Sequence, residues 1–221
     1  MEKSREEKSF RVILGTLHIK VFRHGKSIVV QKNLANTNVK TQTKIEVHFE
    51  LFQPDDFPKA AEKFMKLGID AEKIFGPGDM CIVGEVAGRI VHWTWFALNG
   101  NYVMEMEKRI QMPSLDSAYV YAGYTVPEYR GLRIAPKAEE EMYNHLHNRG
   151  IKRVFGLIES SNFPSLKYHR SIGFRKIGTI RFIRILGLRL YLCRGETEKD
   201  CKTIRKLLSS EKDRSKFQLI C

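Results

Sequence analysis

The chain has 221 residues and a formal charge of +13 at pH 7, from 38 Lys and Arg against 25 Asp and Glu. That length suits one domain with a well-buried core and some decoration, and it excludes two ordinary domains as the natural reading. The positive excess is spread along the chain without a lysine-rich tail or an RNA-binding signature, so an acidic cofactor or substrate is expected to account for it and nucleic acid is not.

The opening segment, Met1 to Ser9, carries charges of both signs and no apolar centre, unlike a signal peptide. From Phe10 to Leu34 apolar and polar residues alternate in two runs, Phe10–Phe22 and Ser27–Val30, around Arg23-His24-Gly25-Lys26. This pattern predicts an N-terminal β-hairpin, with Gly25 supplying a positive φ at the turn. Residues 34–42 are polar and aperiodic and read as a connector. Ile45, Val47, Phe49 and Leu51 alternate with polar residues as a half-buried strand, and Pro54-Asp55-Asp56 opens a helix from about Phe57 to Leu67 that Gly68 closes.

After a turn at Gly76-Pro77-Gly78-Asp79, the sequence predicts a hairpin of Met80–Gly84 and Arg89–Leu98 across Glu85-Val86-Ala87-Gly88. Trp93 and Trp95 share one face of its second strand and read as core packing, with a pocket wall as the alternative. Tyr102 to Met112 reads as one further short strand. Ala118 to Val126 is aromatic and β-branched, which predicts a buried strand that Pro127 ends. Ala135, Ala138, Met142 and Leu146 then recur at helical spacing up to Gly150. His145 and His147 lie two apart on that helix, face different directions, and make a poor metal pair.

Arg153–Ile158 is a second buried-strand candidate, so the two strands and the helix between them form a right-handed βαβ unit with a ligand expected at the strands' carboxyl ends. Phe174–Ile185 and Leu188–Cys193 read as an antiparallel pair about Gly187. Residues 196–221 form a charged tail with a weak helical stripe through Cys201, Ile204 and Leu208, for which packing and disorder are both open. The apolar run from Arg181 to Leu192 is interrupted by Arg184 and Arg189, so no membrane span is expected. Cys81, Cys193, Cys201 and Cys221 lack metal-ligand spacing and read as reduced thiols, so a cytoplasmic protein without a bound metal is expected.

The centre of the sequence is the loop Val126-Pro127-Glu128-Tyr129-Arg130-Gly131-Leu132-Arg133-Ile134-Ala135. A loop that feeds a helix presents unpaired N–H groups and the positive end of the helix dipole, and Arg130 and Arg133 add charge there. The run Arg130-Gly131-Leu132-Arg133-Ile134-Ala135 resembles the acyl-CoA pyrophosphate loop of the GNAT N-acetyltransferase superfamily, Gln/Arg-x-x-Gly-x-Gly/Ala. Downstream, the run from Asn162 through Ser165, Tyr168 and His169 to Gly173-Phe174 is similar to the Asn-x-x-Ala/Ser helix of that family, at the family's spacing. The resemblance covers about Lys44 to Cys193.

The resemblance implies an α/β (α+β) fold with a mixed, V-splayed central sheet of about seven strands flanked by helices, here with an extra N-terminal β-hairpin. It divides the chain into an extension (1–43), an acyltransferase domain (44–195) and a tail (196–221). It also implies acetyl-CoA as cosubstrate and an acyl transfer to a small-molecule amine. Backbone groups of Thr125 and Val126 would hold the pantetheine, and Arg130, Gly131, Leu132, Arg133, Ile134 and Ala135 the pyrophosphate. Asn162 would orient the thioester end as well as cap its helix.

Two positions depart from the family pattern. Arg133 stands where the family usually has Gly, and its side chain either bonds the phosphate or obstructs it. His169 stands where many members carry a tyrosine general acid, with Tyr168 one place earlier, so His169 and Tyr168 are both candidate donors to the leaving thiolate. No general base is evident: Glu159 is the nearest carboxylate by sequence, and bound water is the alternative. Together with Gly76–Asp79, Tyr124–Gly131 and Ile185–Arg189, the pattern resembles a bacterial subgroup near polysaccharide synthesis, which points to an amino sugar as acceptor. A non-catalytic CoA-binding or interaction module with a decayed site is the alternative, and a homodimer is open as the assembly.

Overall fold

The computed structural model describes residues 22–34, 40–71, 76, 78–103, 106, 108–186, 188–209 and 217–220. In chain order the strands are β1 (Phe22–Asn33), β2 (His48–Phe52), β3 (Met80–Val86), β4 (Arg89–Ala97), β5 (Tyr102–Val103), β6 (Lys108–Arg109), β7 (Ser117–Thr125), β8 (Arg153–Glu159), β9 (Arg175–Ile185), β10 (Leu188–Gly195) and β11 (Phe217–Ile220). Four helices accompany them among the described residues: α1 (Phe57–Met65), α2 (Ile134–Asn148), α3 (Phe163–Ser171) and α4 (Glu198–Leu208).

Among the described residues nine strands form one open mixed sheet in the order β11-β10-β9-β1-β8-β7-β4-β3-β2, against the seven or so expected. All neighbours are antiparallel except β7 with β8 and β10 with β11. Side-chain alternation sends successive residues to opposite faces, and the helices divide accordingly. Met80, Ile82 and Phe96 pack with α2 through Ala138, Met142 and Leu146. Cys81, Val83 and Trp95 pack on the other face with Phe57, Ala60 and Phe64 of α1. Further along, α4 buries Ile204, Leu207 and Leu208 against Ile180, Phe182 and Tyr191. The charged stretch after Glu196 therefore contributes a packed helix, capped by Thr197 Oγ1 accepting from Asp200 N at 3.1 Å.

The expected N-terminal hairpin is not found among the described residues. Arg23 to Lys26 run straight through β1, Gly25 has no positive φ, and residues 10–21 of the expected first strand lie outside the described residues. The reason is non-local pairing. β1 lies between β8 and β9 and pairs with both, Val29 facing Leu157 on one side and Gly178 on the other. A turn at Arg23–Lys26 would remove the ladder pairing those residues make with Arg181–Arg184 of β9. β1 is therefore a central strand of the sheet, where the sequence reading placed it outside the family core.

Two smaller expectations are also corrected. The turn between β3 and β4 is only Ala87-Gly88, both at positive φ (49° and 75°), the conformation of a tight two-residue hairpin. Tyr102 to Met112 does not form one strand but the small hairpin β5–β6, closed by Ile110 N donating to Asn101 O at 2.8 Å.

Candidate active site

β7 and β8 pair in parallel from Ser117 opposite Arg153 to Val120 opposite Gly156, and no further. Beyond that point the strands part. β7 is pulled aside by a bulge: Trp95 pairs with Tyr121 and Trp93 with Tyr124, so Thr94 alone opposes both Ala122 and Gly123. Ala122 takes a left-handed φ of 49° there. Bulges of this kind end pairing and re-aim the strand beside a site. The gap opens into a cavity of about 930 Å³, large enough for a drug-sized ligand.

At one end of the cavity lies the basic loop. Pro127–Tyr129 form a single 3₁₀ turn, then Gly131 (φ 78°) and Arg133 (φ 62°, ψ 22°) both adopt the left-handed conformation. Leu132 O is pinned by Lys44 N at 3.0 Å, and the first helical bond of α2 is Lys137 N to Arg133 O at 3.3 Å. Ile134 and Ala135 therefore present N–H groups ahead of the helix's own ladder, and Pro136 in the first turn has none to lose. Arg130 donates from Nε to Thr125 O at 3.0 Å and stacks 5.7 Å from the Tyr124 ring centre, which in turn stacks on Trp93. Anchored this way, the Arg130 guanidinium keeps its outer N–H groups for an anion.

A model of the acetyltransferase (GNAT) family matches residues 45–174, more than half of the chain. The chain belongs to this family. The fold agrees with a GNAT-family acetyltransferase from Novosphingobium aromaticivorans at a TM-score of 0.50 and 17% identity, over 76% of this chain and 66% of that one. It also agrees with the glucosamine N-acetyltransferase region of a fungal multi-domain β-N-acetylglucosaminidase, at a TM-score of 0.51 and 14% identity over 81% of this chain. Only 22% of the fungal chain is covered, so this chain spans less than two thirds of either structure's length. No curated protein matches the sequence.

Within the GNAT domain, the cavity is lined by Thr125, Arg130, Gly131, Arg133, Ile134, Ala135, Asn162, Glu159, Tyr168 and His169 of the residues expected from sequence. Val126 and Leu132 do not line it: Val126 N continues the ladder to Val91 O at 2.9 Å, and Leu132 holds the loop from behind. Asn162 is the N-cap of α3, its Oδ1 accepting from Ser165 N at 3.1 Å. Glu159 sits exposed at the rim, at the end of β8. No group of His, Cys, Asp and Glu that could hold a metal occurs among the described residues.

One wall of the cavity is made by Tyr119 and Tyr121, whose rings lie parallel (2°) with centres 5.6 Å apart. The tryptophans do not form it. Trp95 is buried and Trp93 half-buried, and both pack on Phe64 of α1. Tyr121 OH donates to Asp79, whose carboxyl also accepts from Gly76 N at 3.1 Å, so the Gly76–Asp79 turn props the wall from behind. Burial raises the Asp79 carboxyl above its ordinary value, and the Tyr121 hydroxyl opposes that rise.

Two features of the site were missed from sequence. His92 is 2% exposed and lines the cavity, with Nδ1 2.9 Å from Thr125 Oγ1 and Nε2 3.1 Å from Thr94 Oγ1. Burial lowers its pKa to about 4, so it is neutral at pH 7. Glu139, 4% exposed on α2, accepts the hydroxyl of Tyr168 at 3.0 Å and that of Tyr143. In the sequence it belongs to an acidic run, Glu139-Glu140-Glu141, that reads as a solvated helix face.

His169 turns its ring edge-on between Tyr168 and Phe174, with centres 5.3 and 5.1 Å away. Its Nδ1 lies 2.8 Å from Ser165 O. A carbonyl can only accept, so Nδ1 carries the hydrogen and Nε2 is the nitrogen free to exchange a proton with a ligand.

Arg133 gives a direct stability test. A non-glycine residue in the left-handed region costs about 1–2 kcal/mol, part of which glycine returns as chain entropy. Arg133→Gly should therefore stabilise the fold by up to about 1 kcal/mol, roughly 2–4 °C in melting temperature, whereas Arg133→Ala gains nothing. Equal melting temperatures for the two variants would show that the loop carries no such strain.

Proposed function

We propose that this GNAT domain moves an acetyl group from acetyl-CoA to a primary amine of a small-molecule acceptor, with an amino sugar the favoured class. The observation that carries the reading is the juxtaposition at one cavity of the parted strands, the left-handed basic loop and the proton-exchanging face of His169. The residues fit an acyl-CoA. Gly131 and Arg133 turn loop amides forward, α2 adds its N-terminal N–H groups, and Arg130 and Arg133 supply charge for a pyrophosphate. Thr125 and the bulge at Ala122-Gly123 offer backbone partners along the parted edge for the amides of a pantetheine arm.

Bound acetyl-CoA would supply an activated thioester carbonyl. The chain's part is to hold that carbonyl against the acceptor amine, which removes much of the entropic barrier of a two-body reaction. The amine nitrogen bonds to the carbonyl carbon as the C–S bond breaks. His169 Nε2, in its protonated form, gives its proton to the departing sulfur, and the proton lost by the nitrogen passes to water, with Glu159 at the rim as the nearest carboxylate to assist. Tyr119 and Tyr121 favour an acceptor with a flat, partly apolar ring face, as a sugar presents. A decayed binding module is the weaker reading, since the loop, the parted strands and a proton-exchanging nitrogen are all retained.

The test is acetyl-CoA itself. At about 100 times its dissociation constant a ligand stabilises by roughly 2.7 kcal/mol, on the order of 5–10 °C in melting temperature for a domain of this size. Absence of any shift at millimolar acetyl-CoA would overturn the proposal. Thiol release from acetyl-CoA across a panel of amines, with amino sugars and polyamines as separate arms, then identifies the acceptor and separates an enzyme from a binding module.

A further inference from the structure

Beneath the cavity, three elements meet at one buried carboxylate. Glu139 of α2 accepts from Tyr168 OH of α3 and from Tyr143 OH of its own helix, so both of its oxygens act as acceptors. That is the pattern of an ionised carboxylate, which has no hydrogen to donate. Lys32 comes from β1, donates from Nζ to Ile172 O just past the end of α3, and lies 5.1 Å from the Tyr143 ring centre. The charged and titratable groups around Glu139 are thus Lys32, Tyr143, Tyr168 and His169; each of them favours its ionised form, while burial outweighs them and holds the carboxyl above its ordinary value. Burial likewise lowers the Lys32 ammonium while Glu139 supports it.

Tyr168 has one hydroxyl hydrogen, and that hydrogen is on the Glu139 carboxylate. Turning it towards a thiolate would strip a bond from a buried charge, which is costly. Residues adjacent on a helix point about 100° apart, so although both rings line the cavity, the Tyr168 hydroxyl is bound away to α2 while His169 points in another direction. We propose that Glu139 is the positioning residue of the transfer: it withdraws the Tyr168 hydroxyl from the cleft and sets the rotation of α3, leaving His169 as the proton donor. This rests on the acetyl-transfer reading for its chemistry, but the Glu139–Tyr168 link does not depend on that reading.

The experiment uses the full chain with Tyr168→Phe, Glu139→Gln and the double variant, each read in two ways. The first is ultraviolet titration of phenolate. The Tyr168 hydroxyl is pushed well above the ordinary range by burial and by the Glu139 charge. Wild type and Tyr168→Phe should therefore give the same titration through the range in which an ordinary phenol ionises. In the Glu139→Gln background, where the charge is gone, the same Tyr168→Phe comparison should reveal an additional phenolate at lower pH. An ordinary Tyr168 titration in wild type overturns the proposal.

The second reading is thiol release from acetyl-CoA with the best amine of the panel. Tyr168→Phe breaks the same link from the other side, so it should lower kcat by no more than Glu139→Gln does and leave the shape of the pH profile unchanged, against the roughly 100-fold loss that follows removal of a proton donor. Glu139→Gln should lower kcat and leave the KM for acetyl-CoA unchanged, a split that general loss of structure does not produce. A 100-fold loss in Tyr168→Phe, in a protein that still binds acetyl-CoA, overturns the proposal. Failure of wild type with every amine overturns the acetyl-transfer reading instead, and the titration still decides the Glu139–Tyr168 link.

Discussion

His169→Phe should lower acetyl-CoA turnover about 100-fold, the lower end of what a positioned proton donor contributes. Phenylalanine keeps the edge-on packing with Tyr168 and Phe174, so the cavity wall survives and acetyl-CoA affinity should be preserved. The direction of the pH profile is fixed by the hydrogen bond at the other nitrogen. With the Nδ1 hydrogen committed to Ser165 O, Nε2 of a neutral ring holds only a lone pair, and the ring can donate there only as the imidazolium. An acid role therefore requires activity to fall as pH rises and the ring loses its charge. A base role requires the reverse, with activity rising along the same limb. The measurement is kcat against pH for wild type and His169→Phe with one amine at saturating acetyl-CoA. A wild-type rate and profile in His169→Phe would remove His169 from the mechanism. His169→Tyr should restore activity and extend the active range to higher pH, because phenol keeps its proton further up the scale.

The parts of this site that were legible in sequence are those built from short-range rules. Pro127 ending a strand, a helix periodicity from Ala135, Gly131 in a turn and Asn162 as a helix cap are each decided within a few residues, and the structure has all four. Arg133 is instructive because the family pattern asks for glycine there and the structure shows why: the backbone is left-handed at that position. What sequence could not give was set by partners far away along the chain. β1 pairs with strands more than a hundred residues later, so the local alternation that suggested a hairpin was real and its partner was wrong. Trp93 and Trp95 were read for their face but not for the bulge in β7, which hands the cavity wall to tyrosines. Glu139 was hidden by its neighbours. Glu140 receives Thr41 N and Glu141 pairs with Lys137, so two of three consecutive acids do lie at the surface side of α2, and only the third faces inward.

His92 should make this protein lose stability in mild acid, in a window where its carboxylates do not dominate. Burial takes its pKa from 6.5 to about 4 in the folded chain, with a backbone bond to Tyr124 opposing the shift only in part. Between those two values the unfolded chain binds a proton at this residue and the folded chain does not. Stability therefore rises with pH through the window, is complete above about 6.5, and is lost as pH falls towards 4. A difference of this size corresponds to about 3 kcal/mol across the window, at 1.36 kcal/mol per unit. Asp116, held down to about 2 by the Ser114 hydroxyl and then by Arg153, begins to cost stability only below its ordinary value of 3.8. Glu139 and Asp79 act in the opposite sense, since their raised values give the folded chain a proton that the unfolded chain lacks. The contribution of His92 is isolated by subtracting the urea stability of His92→Gln from that of wild type at pH 7 and again at pH 4.5. Glutamine can bond both Thr94 and Thr125 without titrating, so the variant should lose less stability than wild type between the two conditions, by about 2–3 kcal/mol. Equal losses would mean that His92 charges in place, through water reaching the cavity, and that the Thr94 and Thr125 hydroxyls reorient to accept from both ring nitrogens.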